Sequence, residues 1–245
     1  MYTALKTITR LILPASIVAY LKPFLRKSVS ILYIGSNYQC NICLFKMRQF
    51  VTLETRDKLC PRCGSLPRTR GLWQLIQDNL ASKAVLHFSP PKSLRNRIAK
   101  HIHVASYNTS DYLGEFSADK QYDICAIDAS DNSYDVIICF HVLEHVSDDV
   151  LAMSELYRVL CNGGSAYIQT PFQSGDIYED DTIISAEDRK KHFGQEDHLR
   201  IYSPEGLTKR LEHVGFMVEP IELSNEENNY YGLKRNETIL VAKKA

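Results

Sequence analysis

The sequence lacks an excess of charge of either sign. It has 29 Lys and Arg residues and 29 Asp and Glu residues among 245, so its formal net charge is zero. Proteins that hold nucleic acid mainly by electrostatic attraction carry a clear basic excess. The overall composition therefore argues against a strongly basic nucleic-acid binder and leaves only local basic patches for such a role.

The sequence also lacks an apolar run long enough to cross a bilayer. Its longest run of low polarity spans residues 11–21 and is interrupted by Pro14, whereas a transmembrane helix needs about 20 residues. Three interpretations of the apolar and basic residues 1–37 stay open. They are a signal peptide without a convincing cleavage site, an amphipathic helix in peripheral contact with a membrane, and a terminal helix packed on the protein or on a second subunit. We favour the last, and we expect a cytoplasmic protein.

Two C-x2-C pairs are the strongest local motif. Cys40 and Cys43 are separated by sixteen residues from Cys60 and Cys63. Four thiolates suit tetrahedral Zn²⁺, and a four-cysteine set leaves no open coordination position for catalysis. We therefore predict a structural zinc ribbon over residues 38–66.

The remaining features of this part of the chain fit the same interpretation. The ribbon's hairpin strands are expected within residues 45–54. A thioredoxin-type redox pair would need only one C-x-x-C beside a strand–helix–strand unit. A disulfide framework would need an oxidising compartment, and Cys125, Cys139 and Cys161 in the apparent core argue against one.

A linking helix is predicted over residues 67–80. Leu72, Trp73 and Ile76 give it an apolar face, and Arg68 and Arg70 lie near its start. Two arginines at a helix start are compatible with a phosphate contact, but a solvated helix end is the more frequent explanation.

A strand–helix–strand pattern between residues 123 and 171 predicts an α/β domain. The apolar run 134–140 is short and β-branched, which is typical of a strand covered on both faces of a parallel sheet. Apolar residues then recur at helical spacing after Asp148 and Asp149, and Gly163 and Gly164 are expected to end that helix. Residues 165–170 return as a second strand before Pro171.

The same stretch resembles the second half of class I S-adenosylmethionine-dependent methyltransferases. The matching landmarks are Asp123, DNSYD at 131–135, HVLEHV at 141–146, RVL at 158–160, the Gly163–Gly164 pair and Pro171. The resemblance is to a bacterial branch with an N-terminal zinc ribbon. It implies a Rossmann-like seven-stranded sheet over residues 81–245 and methyl transfer from S-adenosylmethionine.

The resemblance also implies where the cofactor binds. The turn after the strand 84–88 would hold its methionine part, at Phe88, Ser89 and Pro90. In the family this turn is usually rich in glycine, because bare backbone must approach the ligand closely. Here residues 88–92 contain no glycine, so either the turn is built from serine and proline or the domain has lost its cofactor. We favour the first.

Four further residues receive cofactor roles from the resemblance. Asp111 would accept hydrogen bonds from both ribose hydroxyls, with a simple turn-forming aspartate as the alternative. Asp123 would lie near the adenine amino group, the Ile124 backbone at the adenine edge, and His141 at the carboxyl edge of the sheet. Only eleven residues separate Asp111 from Asp123, so the helix before a third strand near 120–122 must be missing or vestigial.

A long insertion over residues 172–202 is expected to form a lid. It contains HFGQEDHLR at 192–200, which resembles an element of the same bacterial branch. His198 is a candidate general base and His192 a second one, since histidine titrates near neutral pH. A polar lid closed by internal hydrogen bonds is the equal alternative. Glu144 and His145 are expected to cap the helix that follows them.

The methyl acceptor is the least constrained expectation. A small molecule or a glycan suits the near-neutral charge and the polar lid. An RNA methyltransferase that holds phosphates through the ribbon, Arg68, Arg70 and Lys92 is a second hypothesis. A non-catalytic binding module is the third, and only the glycine-free turn favours it.

Overall fold

The computed structural model describes residues 15–101, 103–223 and 229–245, with side chains from residue 23 onward. It divides into two compact units. The first takes in the chain up to Gln77 together with Leu223–Glu237, and the second comprises Asp78–Glu222 and Thr238–Ala245. We expected residues 81–245 to form one domain, so the assignment of 223–237 to the first unit differs from that prediction.

Among its described residues, the first unit contains two helices and four short strands. Helix α1 spans Ala15–Ser30 and includes Pro23, and a 3-10 turn leads into strand β1, Ile34–Gln39. Strands β2, β3 and β4 follow at Lys46–Met47, Val51–Thr52 and Lys58–Leu59. Helix α2, Pro67–Ile76, starts with proline at its first turn, where a missing N–H costs nothing. The expected helical segment is thus helical over 15–30, while residues 1–14 lie outside the described part.

The predicted ribbon hairpin within residues 45–54 is wrong. Strand β2 pairs with β1, and strand β3 pairs with β4, so the two halves of that stretch belong to different antiparallel sheets. Each sheet pairs two strands that flank or adjoin one cysteine pair. The intervening turn therefore separates two small sheets instead of closing one hairpin.

A six-stranded mixed sheet forms the centre of the second unit, which confirms the predicted α/β class. Its strands are β5, Ala84–Phe88; β6, Ser106–Ser110; β7, Tyr134–Phe140; β8, Leu160–Gln169; β11, Met217–Leu223; and β12, Glu237–Lys243. Their order is β11-β12-β8-β7-β5-β6, in which β6, β5, β7 and β8 are parallel and β12 is antiparallel to β8.

The seventh strand expected near residues 120–122 is wrong for the described chain. Only a single parallel bridge joins Ser110 to Lys120. A parallel strand needs a crossover of a dozen or more residues, and residues 111–119 are too few. The amides of Asp119 and Lys120 instead bond to the carbonyl of Thr109. The short connection after β6 therefore leaves residues 120–122 with a single bridge and no strand.

The strand–helix–strand unit is present with one change at its glycines. Helix α4, Asp149–Val159, is capped by Asp148, whose carboxylate accepts from the Leu151 amide. The helix ends at Val159, and strand β8 runs through the glycine pair expected to end it. A side chain at Gly164 would lie 2.9 Å from the Asp135 carbonyl oxygen, so the glycine permits close strand pairing here.

Three further helices and two short strands complete the second unit. Helix α3 spans Lys92–Ile98, and helix α6 spans Pro204–His213. The residues between β8 and α6 contain strand β9 (Tyr178–Glu179), helix α5 (Ala186–Phe193) and strand β10 (Arg200–Ile201). Serine followed by proline predicts a helix start at Ser203 and Pro204. Ser203 indeed caps α6 by accepting from the Gly206 amide. The core is formed by apolar faces of the sheet and of α4 and α6. Among the described residues, no helix is long and apolar enough to cross a membrane.

Candidate functional site

The four predicted zinc ligands come together in the first unit. The Sγ atoms of Cys40 and Cys63 are 3.7 Å apart, and those of Cys43 and Cys60 are also 3.7 Å apart. All four cysteines are free, without a disulfide. Tetrahedral zinc with Zn–S bonds of about 2.3 Å requires sulfur atoms about 3.8 Å apart. The cluster is therefore compatible with zinc.

Two equivalent turns position these sulfurs. The Leu44 amide bonds to the Cys40 carbonyl at 2.8 Å, and the Gly64 amide bonds to the Cys60 carbonyl at 3.0 Å. Leu44 and Gly64 both have positive φ, at 59° and 76°. The residue after each C-x2-C pair thus turns the chain in the same left-handed conformation, so both pairs present their thiols alike.

Arg70 is a structural residue in the first unit. It is fully buried, with 0% exposure. Its guanidinium donates to the carbonyls of Ser65, Lys58, Tyr231 and Gly232, and it lies over the Phe50 ring. Burial lowers the pKa of Arg70, and the nearby cysteines act against that shift. Both predictions for this arginine, a phosphate contact and a solvated helix end, are wrong.

The predicted cofactor residues of the second unit lie at the carboxyl edge of the parallel strands. Phe88 ends β5 and pairs with Ser110 of β6 on one side and Cys139 of β7 on the other. Ser89, Asp111 and the residues after Phe140 therefore follow adjacent strands at one edge. Ligands of open α/β sheets bind at this edge.

Ser89 occupies a conformation that glycine usually supplies. Its φ is 44°, and its amide bonds to the Ser110 carbonyl at 2.7 Å. Its hydroxyl donates to Asp111 Oδ1 at 2.8 Å, and the Phe116 amide donates to Asp111 Oδ2 at 3.0 Å. The turn thus keeps a glycine-like backbone without glycine and holds a buried carboxylate beside it. Each Asp111 oxygen retains capacity to accept a second hydrogen bond.

The other cofactor candidates are Phe88 and Pro90 on either side of Ser89, and Asp123, Ile124 and His141 later in the chain. Phe88, Pro90 and Ile124 are buried, and Asp123 is exposed. Asp123 Oδ1 accepts from the Cys125 amide at 2.8 Å. His141 directly follows β7 with φ of 56°, and its amide bonds to the Gln169 carbonyl. Left-handed residues therefore follow two of the parallel strands, β5 and β7.

His192 and His198, the two candidate general bases in the insertion 172–202, have different neighbours. His192 is exposed, and its Nδ1 atom is 2.7 Å from the Tyr178 hydroxyl. His198 is buried, its Nδ1 atom is 3.2 Å from the Phe193 carbonyl oxygen, and its ring is perpendicular to that of His145 with centroids 4.7 Å apart. Burial lowers the pKa of His198, although the charge of Glu144 acts in the opposite direction.

Glu144 and His145 do not cap α4, because Asp148 fills that position. They lie on a separate 3-10 turn, Leu143–His145. Glu144 Oε1 is 3.2 Å from His141 Nδ1, and His145 Nδ1 is 3.0 Å from Asp197 Oδ2. The Leu199 amide also bonds to the Glu144 carbonyl, so the segment after His198 is attached to this turn.

A partly buried ion-pair network was missed by the sequence interpretation. Asp149, at the start of α4, accepts from the Tyr202 hydroxyl and from Arg210 of α6. Arg200 bonds to Glu179 at 2.9 Å and to the carbonyls of Val146 and Ser147. Lone charged residues at helix and strand ends gave no pattern to reveal this network, which joins the insertion to α4 and α6.

Comparisons with known proteins agree with the observed sheet. Residues 70–221, more than half of the chain, match the family described as a methyltransferase domain. The chain is similar to a SAM-dependent methyltransferase structure from Archaeoglobus fulgidus, at 15% identity over 72% of this chain and 93% of that chain, with a TM-score of 0.52. It is also similar to an S-adenosylmethionine-dependent methyltransferase from Mesorhizobium loti, at 12% identity over 70% and 96% of the two chains, with a TM-score of 0.50. No curated protein sequence matches the chain. At these identities the solved structures bear on the fold alone.

Proposed function

Because the chain belongs to the methyltransferase-domain family, we propose that it transfers a methyl group from S-adenosylmethionine to a small-molecule or glycan acceptor. The contact between Ser89 and Asp111 carries the proposal. It joins the ends of two adjacent parallel strands, where a carboxylate can accept ribose hydroxyls and the backbone of the turn can approach the cofactor.

The conformation of Ser89 supports a retained cofactor site. Its positive φ costs about 1–2 kcal/mol for a residue other than glycine. Strained conformations of this kind concentrate at functional sites. We take the retained strain as support for a cofactor site and as weighing against a non-catalytic binding module.

S-adenosylmethionine would be held by the edge residues in distinct ways. The turn at Phe88, Ser89 and Pro90 would receive its methionine part, Asp111 its ribose, and the loop at Asp123 and Ile124 its adenine, with His141 beside them. The bound cofactor supplies an activated sulfonium methyl group. The residues of the chain contribute orientation and exclusion of water, which is sufficient for a large rate effect.

Zinc in the four-cysteine cluster is proposed as a structural ion. Four thiolates fill a tetrahedral shell, so no position is left for an acceptor. The RNA hypothesis loses one of its three basic residues, because Arg70 is buried and bonded to backbone carbonyls. That hypothesis keeps the ribbon, Arg68 and Lys92, and we retain the small-molecule or glycan acceptor as the proposal.

Calorimetric titration of the zinc-loaded protein with S-adenosylmethionine and S-adenosylhomocysteine tests the proposal. We expect both to bind to the wild type, and Asp111→Asn to weaken both at least about 10-fold, since a charge-assisted bond contributes about 1.5–3 kcal/mol. The exposed Asp78→Asn is the matched control and should bind as wild type does. Absence of heat and of a thermal shift with either ligand would overturn the cofactor site.

A further inference from the structure

Three side chains at the carboxyl edge of the sheet form a second cluster with metal-binding geometry. One ligand atom each of Glu144, His145 and His198 lies within 4.8 Å of the other two. These residues belong to the second unit, so the cluster is separate from the four cysteines. Glu144 and His145 follow β7 by a few residues, and His198 arrives from the insertion.

The cluster contains buried polar atoms without partners among the described residues. Glu144 is 1% exposed and its Oε2 atom has no hydrogen-bond partner. His198 is 3% exposed and its Nε2 atom likewise has none. Buried polar groups are nearly always paired, and an unpaired buried carboxylate oxygen is especially costly. Two such atoms in one cluster are what an exogenous ligand, an ion among them, would satisfy.

The outer contacts of the two histidines orient their free nitrogens. A carbonyl oxygen can only accept, so the contact to Phe193 O requires the proton of His198 on Nδ1. The lone pair of this ring is then on Nε2, and no hydrogen-bond donor among the described residues contacts that atom. Asp197 plays the same part for His145 by accepting from Nδ1. Metal-ligating histidines characteristically bond through their second nitrogen to a carbonyl or a carboxylate in this way.

The donor set identifies the class of ion. Two imidazoles and one carboxylate suit divalent first-row metals such as Zn²⁺, Mn²⁺ and Fe²⁺, whereas Mg²⁺ and Ca²⁺ prefer oxygen alone. Three protein ligands leave coordination positions open for exogenous oxygen ligands. His141 supports the arrangement, because its Nδ1 atom holds the other carboxylate oxygen of Glu144 at 3.2 Å.

We propose that Glu144, His145 and His198 bind a divalent transition-metal ion whose open positions hold an oxygen atom of the methyl acceptor. The ion site stands on the cluster alone, and its role toward an acceptor rests on the proposed methyl transfer. The acceptor class is thereby narrowed to molecules with a hydroxyl or carboxylate near the methylated atom. A glycan meets this requirement through its hydroxyl groups.

Titration of the full-length, zinc-loaded protein with Co²⁺ tests the ion site. We expect one further equivalent to bind, with the weak visible absorption of nitrogen and oxygen ligands and without the intense thiolate-to-cobalt bands of the cysteine cluster. Glu144→Gln and His145→Gln should each weaken this binding at least about 10-fold. The exposed residues of α6 provide matched controls, Glu212→Gln and His213→Gln, which should bind Co²⁺ as the wild type does.

Other outcomes overturn the inference in identifiable ways. Lack of a second equivalent in the folded wild type would mean that the unpaired atoms hold only water. Unchanged Co²⁺ affinity in folded Glu144→Gln would assign the ion to other residues. Circular dichroism of each variant checks its fold, and His145→Gln serves if Glu144→Gln fails to fold, because His145 is less buried.

A parallel titration with S-adenosylmethionine separates this inference from the proposed function. Cobalt binding without cofactor binding would retain the ion site and reject methyl transfer. Cofactor binding without cobalt binding would retain methyl transfer and reject the ion. A glycan-type polyol that shifts the visible cobalt spectrum only in the wild type would support the acceptor role, and no shift with any oxygen ligand would overturn it.

Discussion

The two clusters of candidate metal ligands, one in each unit, differ in how completely they would close around an ion. The cysteine cluster has four identical ligands delivered by two matching backbone turns. The Glu144, His145 and His198 cluster has three ligands of two kinds, drawn from a 3-10 turn and from a long insertion. A closed set serves folding, because nothing else can bind the ion. An open set serves chemistry, because its unused positions exchange ligands.

Loss of a cysteine ligand should have the largest effect. Cys60→Ser removes one of four thiolates, and structural zinc contributes roughly 10–16 kcal/mol in small zinc domains. We expect loss of bound zinc, measured by elemental analysis, together with loss of the unfolding transition of the first unit in a thermal melt. Cys125→Ser, outside the cluster, should retain both. Retention of zinc and of that transition in Cys60→Ser would contradict a structural role.

Replacement of Arg70 should have the next largest effect. Arg70→Met leaves the carbonyls of Lys58, Tyr231 and Gly232 without their donor, and each buried acceptor left unpaired costs about 1–3 kcal/mol. Urea unfolding monitors the change. Arg48→Met, at an exposed position, should stay within about 0.5 kcal/mol of wild type. Equal effects of the two substitutions would show that the buried bonds contribute little.

Glu144→Gln should behave in the opposite way to a cysteine substitution. Without a metal, the wild type buries a carboxylate oxygen that lacks a partner, so the amide should unfold with a free energy equal to or about 1 kcal/mol above that of the wild type. Added Co²⁺ should raise the melting temperature of the wild type alone, by mass action. A metal-free Glu144→Gln protein that is much less stable would mark Glu144 as a structural residue like Cys60.

Removal of the cap of α4 should cost less than these changes. Asp148→Ala deletes the acceptor for the Leu151 amide, which costs about 1 kcal/mol in typical helices. Cobalt affinity should be unchanged, because Asp148 is not one of the cluster's ligands. Ser185→Ala, which removes the cap of α5, is the matched control. Loss of cobalt binding in Asp148→Ala alone would mean that the cap itself positions the cluster.

The smallest expected effect concerns the insertion that supplies His198. Burial acts to raise the pKa of Glu179, but hydrogen bonds from Arg210 and Arg200 prevail and the pKa is lowered from 4.5. A carboxyl with a lowered pKa stabilises the fold above about pH 4.5 and loses that contribution as the pH falls through its folded value. Glu179→Gln should therefore flatten the acid limb of a stability profile measured from pH 6 to pH 3. The exposed Glu187→Gln should leave that limb unchanged.

The sequence was sufficient where chemistry or periodicity recurs along the chain. The spacing of the cysteines predicted their cluster, and the alternation of β7, α4 and β8 predicted the parallel sheet. Ser203 and Pro204 predicted the start of α6. In each case the interacting residues lie close together in sequence or repeat a pattern with a fixed period.

Features set by distant contacts were not predictable in this way. Arg70 carries no mark in the sequence that its partners are Tyr231 and Gly232, more than 150 residues later. The expected seventh strand did not form because the crossover before it is too short. The cluster around Glu144 was not predicted because His198, more than 50 residues later, contributes to it. These outcomes follow from tertiary packing, which overrides local propensity.

The course of the chain between β11 and β12 has a consequence for how this protein can be divided. Leu223–Glu237 belong to the first unit, where the carbonyls of Tyr231 and Gly232 accept hydrogen bonds from Arg70. The first unit is thus discontinuous, and the polypeptide passes into it twice. Truncation at Gln77 would separate the first unit from its second segment, Leu223–Glu237. Neither unit therefore corresponds to a contiguous piece of the sequence. A transplanted second unit would have to include both of its segments, Asp78–Glu222 and Thr238–Ala245.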